Sequence, residues 1–280
     1  GDLYLEENQA ELQTISLIDD ISKDYPKSIK KRPTLGCRAI VRKSLKVLNI
    51  ILHEMEDWKE DVRLHSTKLL MQIVIHSEDH LATKYYDINA VLCKTCADQE
   101  IPVAKLAVNV AEIIGYFVSQ KTWSKYIFEE LKTRQNKLGT IKCMNALYRN
   151  SLSKERYDNL SELLEILLDS SICQNNSASL QSELIQLLET LAPGISNENE
   201  VIEKHFYVIA LKIAAIGYDD DSIKTCGMNI LKLIADKSTI KSLLEMHSKY
   251  LKDALKSLDA LDKANNEMSE QVLVLYGIIC

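Results

Sequence analysis

Glycine and proline are scarce, with 8 and 4 residues in a chain of 280. So few turn-formers argue against an all-β architecture, and so few glycines against several phosphate-binding loops. Neither G-x-x-x-x-G-K-S/T nor G-x-G-x-x-G occurs, and Gly36, Gly139 and Gly194 read as isolated turn residues. No apolar run reaches the ~18 residues needed to cross a bilayer, and the opening residues lack the pattern of a signal peptide. Positive charge is in deficit as well. The formal net charge is −6 with no basic block, so there is no electrostatic footprint for nucleic acid or an anionic membrane. Seven cysteines, an odd number lying mostly in apolar runs, do not make a secreted disulfide framework; they fit reduced, buried thiols in a cytosolic protein. The chain opens on Gly1 and not Met, and is expected to be a piece of a longer polypeptide.

What the chain has in abundance is helical periodicity. In "VRLHSTKLLMQIVIH", Val62, Leu69, Leu70, Ile73 and Val74 recur at three- and four-residue spacings and predict one buried stripe. "PVAKLAVNVAEIIGYFV" repeats this with Val103, Leu106, Val110, Ile113, Ile114 and Phe117. Pro102 suits the first turn there, where N–H groups lack intrahelical partners. "SIKTCGMNILKLIAD" brings Ile223, Ile230, Leu231 and Ile234 together behind the acids Asp219, Asp220 and Asp221, which read as a helix start. Further helical segments are expected at roughly 40–56, 81–97, 121–134, 154–172, 197–217 and 239–258. The first inward residues of alternate helices, Val62, Val103, Ile141, Leu180 and Ile223, recur about every 40 residues, the HEAT/armadillo repeat length.

The expected fold is therefore all-α: a HEAT/armadillo-like α-solenoid of about six helical hairpins, preceded by one extra helix at about 3–24, with residues 1–280 as a single domain. One hairpin cannot bury its own apolar face. Stacked neighbours can, and they leave long exposed flanks for binding.

Candidate chemistry is thin. In "HSEDH", His76 and His80 stand at the spacing at which one helical face can share a metal ion. The zinc-protease motif needs Glu directly after the first histidine, where this chain has Ser77. The run reads better as the junction of two helices, with Glu78 and Asp79 capping the second, so that the histidines fall on different elements. Cys93 and Cys96 in "CKTC" lack both a second pair for zinc and a preceding strand for a thioredoxin-like motif, and read as thiols within one helix. "NLS" and "NNS" match the glycosylation pattern, which matters only in a secreted chain. No histidine has a nucleophile beside it in any recognisable catalytic arrangement. No catalytic, cofactor or metal residue is assigned, and catalysis is not expected. Trp58 and Trp123 stand where a hairpin turns or begins, places where tryptophan either packs the end of a stack or anchors a partner. With Arg63 they are the candidate partner-binding residues.

Several stretches occur in an order that resembles one known family: "RPTLGCR", Asp57-Trp58 followed by Val62-Arg63, "HSEDH", "CADQE", "GYFVS" and "SICQNNS". Together they are similar to the C-terminal part of the dynein axonemal assembly factor 5 family of HEAT-repeat proteins, most closely over about 30–180. The resemblance implies a cytoplasmic, non-enzymatic scaffold in ciliated or flagellated cells. Such a scaffold pre-assembles outer and inner dynein arms. It also implies protein partners, namely dynein intermediate and heavy chains and chaperone-type assembly factors. It supplies no catalytic residues and no residue-level contacts.

Two other binding modes fit a helical solenoid. A tubulin-binding TOG module presents Lys and Arg along the turns within each hairpin, yet here "DWKED", "ADQE", "YDDDS" and "DALDKANNE" outweigh the basic "RQNK", with "CQNNS" neutral, and make that edge acidic, and tubulin is acidic too. A peptide-binding adaptor would instead suit a basic ligand segment.

Overall fold

Repeated apolar stripes leave each helix pair with a face it cannot bury alone, and the fold is what results when those faces are matched. A computed structural model of the chain describes residues 25–26, 29–133, 136–151, 157–195, 200–216, 221–237, 242–250 and 252–253. Among them there are helices, 3₁₀ turns and loops, and no strand. The chain divides into two compact units, Gly1–Arg156 and Tyr157–Cys280.

In the first unit, α1 (Leu35–Lys43) starts at Thr34, whose hydroxyl accepts from the Cys37 N–H. A 3₁₀ turn at Leu45–Val47 leads into α2 (Leu48–Glu54). Helix α3 (Glu60–Ser77) opens with Glu60 and Asp61, acids favoured by the positive end of its dipole. After a 3₁₀ stretch at Glu78–Lys84 come α4 (Tyr85–Thr95), α5 (Ile101–Phe117), α6 (Gln120–Thr133) and α7 (Lys137–Asn150). These form three hairpins. Helices α3, α5 and α7 pack in one row, and α2, α4 and α6 in the other. Helices α5 and α7 come close together where a Cβ on Gly115 would collide with the Leu147 carbonyl. Only glycine allows that approach.

The second unit has α8 (Leu160–Leu167), α9 (Ser170–Cys173), α10 (Ala178–Leu191), α11 (Glu200–Ile216) and α12 (Asp221–Lys237), followed by helical residues 243–250. Helices α11 and α12 form a hairpin, α10 packs on α12, and α8 on α11. Tyr207 Oη lies 2.8 Å from His247 Nδ1, and Tyr250 donates to Glu203 Oε1 at 2.8 Å. Each buried hydroxyl thereby has a partner.

Several expectations are corrected. The 40–56 helix is broken: α1 begins earlier, and Ser44, which donates its hydroxyl to the Ile40 carbonyl, ends it. Such side-chain bonds compete with the helical ladder. Leu69 does not join the α3 stripe and is 38% exposed. The buried face is turned toward Ser66 and Thr67, whose hydroxyls donate to Glu54 and to the Arg63 carbonyl, so small polar residues take inward places. Gly139 is not a turn residue. It sits in the first turn of α7, where a Cβ would strike the Cys93 carbonyl. Gly36 likewise lies inside α1, while Gly194 does close a 3₁₀ turn. The extra helix at 3–24, Asp219, Asp220 and much of 239–258 lie outside the described residues.

Candidate protein-binding ledge

The turns inside the three hairpins of the first unit lie side by side, at residues 55–59, 96–100 and 136. One arginine ties two of them together. Arg63, in the first turn of α3, donates from Nε and Nη2 to Asp98 Oδ2 and Oδ1 at 2.7 and 2.9 Å. Its Nη1 donates to the carbonyls of Asp57 and Trp58, each at 3.1 Å. The planar guanidinium suits this task because its donors are fixed in a fork. Asp98 also accepts from the Glu100 N–H at 2.9 Å, and Asp57 from the Lys59 N–H at 2.8 Å. Lys94 reaches Glu56 at 2.7 Å.

The electrostatics follow from these bonds. Hydrogen bonding to Asp98 raises the Arg63 pKa. Burial pushes the Asp98 carboxyl up, but the Arg63 and Glu100 bonds outweigh it and hold the group below its usual value. Between the turns opens a groove of about 340 Å³, lined by Met55, Glu56 and Asp57 from the first turn, Thr95 at the end of α4, Asp98 from the second turn, and Asn136 from the third.

Of the three residues singled out by sequence, Trp58 is 82% exposed on this ledge, with the Lys59 ammonium 5.0 Å from its ring centroid. Arg63 is the half-buried clamp behind it. Trp123 is elsewhere: fully buried in α6, its ring meets Tyr148 edge-to-face at 4.9 Å. It takes the packing role.

Sequence reasoning missed a buried ion cluster at the opposite ends of the helices. The Glu78 side chain does not cap the helix that follows; the residue's backbone N–H closes the end of α3 on the Val74 carbonyl. Its carboxylate accepts from Arg32 Nε and Nη2 at 2.6 and 2.8 Å and from Arg38 Nη1 at 3.1 Å, with Arg42 Nη2 at 3.7 Å. Glu78 is 3% exposed and Arg38 0%. Burial raises the Glu78 pKa, but the bonds and charges of Arg32 and Arg38 prevail and depress it. The residue adopts φ 50° and ψ −129°, a backbone conformation that costs a non-glycine residue of order 1–3 kcal/mol. Asp79 pairs instead with Arg42 at 2.7 Å. The cluster fastens α1 to the end of α3. Beside it, Tyr25 packs on Tyr116 and Phe117, and burial, with Glu78 adding, lifts its hydroxyl pKa to about 12. The sequence signal was Arg38 and Arg42 at i, i+4 on one helical face, waiting for an acid.

The histidines lie on two elements: His76 Nδ1 is 2.7 Å from the Gln72 carbonyl within α3, and His80 belongs to the 3₁₀ stretch. Cys93 and Cys96 are buried together with Cys143 from α7, a neighbour no motif announced. Hydrogen bonds from those two thiols, reinforced by burial, push the Cys143 pKa well up. Among the described residues no group of three or more His, Cys, Asp or Glu could hold a metal ion, and no helix is long and apolar enough to cross a membrane.

Comparison with known proteins bears on this architecture. Residues 23–217 match the family model described as "Dynein axonemal assembly factor 5, HEAT-repeat domain". A Drosophila melanogaster protein named Dynein axonemal assembly factor 5 is 30% identical over 288 residues, covering 100% of this chain and 34% of that protein. The Mus musculus protein of the same name is 25% identical over 260 residues, covering 92% and 30%. The Homo sapiens protein is 26% identical over 225 residues, covering 78% and 26%. The chain thus spans about a third or less of the length of these relatives.

Proposed function

The chain belongs to the dynein axonemal assembly factor 5 HEAT-repeat family, and from that premise we propose that it is a protein-binding segment of a non-enzymatic scaffold for axonemal dynein assembly. The name shared by its relatives is the observation that carries this reading. In finer terms, the scaffold pre-assembles outer and inner dynein arms in the cytoplasm of ciliated or flagellated cells and associates with dynein intermediate chains. Stacked hairpins with a rigid, open row of turns support such a role, since they offer an extended surface and need no ligand pocket. The acidic turns favour this reading over a TOG-like one, because like charges across an interface slow encounter and weaken binding.

Affinity capture on the tagged chain from ciliated-cell cytosol tests the proposal. Dynein intermediate and heavy chains are expected among the recovered proteins. Recovery of none of them, with microtubules pelleting the chain in a salt-sensitive manner instead, overturns it.

A further inference from the structure

We propose that the row of turns in the first unit docks a basic segment of a protein partner, seating an arginine or lysine side chain on the exposed face of Trp58. The inference rests on the binding role proposed above and names a surface for it.

Trp58 comes first. Single exposed apolar residues are ordinary, but a tryptophan at 82% exposure forgoes the large stabilisation that burying its ring would bring. Nor is it a loose side chain on a loose loop. Arg63 holds the carbonyls of Asp57 and Trp58, and Asp57 holds the Lys59 N–H, so the turn that presents the indole is fixed before any partner arrives. Rigid aromatic anchors bind with little further ordering cost, which is why they dominate binding surfaces.

Charge then selects the occupant. Around the indole and the groove stand the carboxylates of Glu56, Asp57, Glu60, Asp61, Asp98 and Glu100, against the cations Lys59, Arg63, Lys94 and, at the third turn, Lys137, which reaches the Leu131 carbonyl. Arg63 is committed to Asp98 and Lys94 to Glu56. Glu60 and Glu100 lie close enough to Arg63 to feel its charge, but that guanidinium is already paired with Asp98. The surplus is negative, so an acidic partner is repelled and a basic one drawn in. The ring already accepts one cation, the Lys59 ammonium at 5.0 Å. A planar guanidinium from a partner would stack there more favourably than an ammonium. Ile101, 65% exposed at the start of α5, gives the same ledge an apolar step for a residue flanking the base.

The chain's two tryptophans make the test direct, because only Trp58 faces solvent while Trp123 is sealed. The probe is a short peptide of Arg, Lys and Leu, with a counterpart in which every base is replaced by Glu. Added to the full chain, the basic peptide is expected to shift Trp58 emission to shorter wavelength, a change absent from Trp58→Phe. Trp58→Ala and the pair Glu60→Lys/Asp61→Lys, with unchanged circular dichroism, are each expected to weaken binding about tenfold or more by labelled-peptide anisotropy. Salt at about 0.5 M is expected to weaken it further. Equal binding of the acidic counterpart, or wild-type affinity in both variants, overturns the proposal. Capture from ciliated-cell cytosol separates the two readings. Dynein chains recovered equally by wild type and by Trp58→Ala/Glu60→Lys/Asp61→Lys overturn the ledge and leave the assembly role standing. Basic-peptide binding with no dynein recovered by either supports the ledge and removes the assembly role.

Discussion

Replacing Glu78 with Gln preserves the shape of the side chain and removes the one buried negative charge that Arg32, Arg38 and Arg42 converge on. Arg38, with no exposure at all, then keeps its charge in the interior without that counter-ion. Breaking one side of a buried ion pair costs about 3–5 kcal/mol. Glutamine's carbonyl still accepts one hydrogen bond, and the strained backbone at φ 50° is common to both proteins, so the lower end, about 3 kcal/mol, is expected. For a cooperative domain of this size that lowers the midpoint by roughly 6–12 °C.

The assay is thermal unfolding of the full chain by circular dichroism, followed in parallel through the emission of Trp123 in the same unit. The dependence on pH has a definite sign. The folded Glu78 carboxyl lies below its ordinary value of 4.5, so its contribution is complete above that pH and disappears as pH falls through the lower folded value. Wild type and Glu78→Gln are therefore expected to differ at neutral pH and to converge once the pH has fallen below 4.5 and through the lowered folded value. Adding Arg38→Met should restore part of the loss, because it removes the buried charge that Glu78→Gln leaves without its counter-ion. A midpoint change below about 2 °C at neutral pH, or a gap that survives unchanged in acid, refutes the reasoning.

Leu70→Asp places a charge at a site with no exposure and should cost several kcal/mol, whereas Lys59→Ala on the exposed turn should change stability by about 0.5 kcal/mol or less; denaturant midpoints compare them, and equal midpoints contradict the face assignment. Gly115→Ala should destabilise the first unit by about 1–3 kcal/mol, since the added methyl meets backbone that cannot turn aside, and a neutral result in urea unfolding tells against the close approach of α5 and α7. Arg63→Ala should cost roughly 2–4 kcal/mol by unfolding Asp98's partnership and freeing two carbonyls, with faster amide exchange at residues 57–59 as the readout. A thiol reagent should label exposed Cys37 quickly in the native chain and leave Cys93, Cys96 and Cys143 untouched until unfolding, as mass spectrometry of labelled peptides will show.

The helical hairpins were legible because their signal is periodic: α5 keeps Val103, Val110, Ile113 and Ile114 on one buried face as the spacing dictates. The repeat of about 40 residues was legible for the same reason. Residues whose role depends on a partner distant in sequence were not. Glu78 looks like any acid at a helix junction until Arg38, 40 residues earlier, is folded against it. Cys143 looks like any core thiol until α7 lies beside α4. The exposed Trp58 and the buried Trp123 both stand at a hairpin bend or start in the sequence. Only packing tells them apart, and Ser66 and Thr67 show how hydrogen-bonded hydroxyls can turn a helix face away from its most apolar line.

Where Gly115 meets Leu147, main chain rests on main chain with no side chain between to act as a cushion. Rotamers are the usual means by which neighbouring helices yield to a load, and here there is none to adjust. At that point α5 and α7 cannot slide past one another by a change of rotamer, which ties the second hairpin to the third.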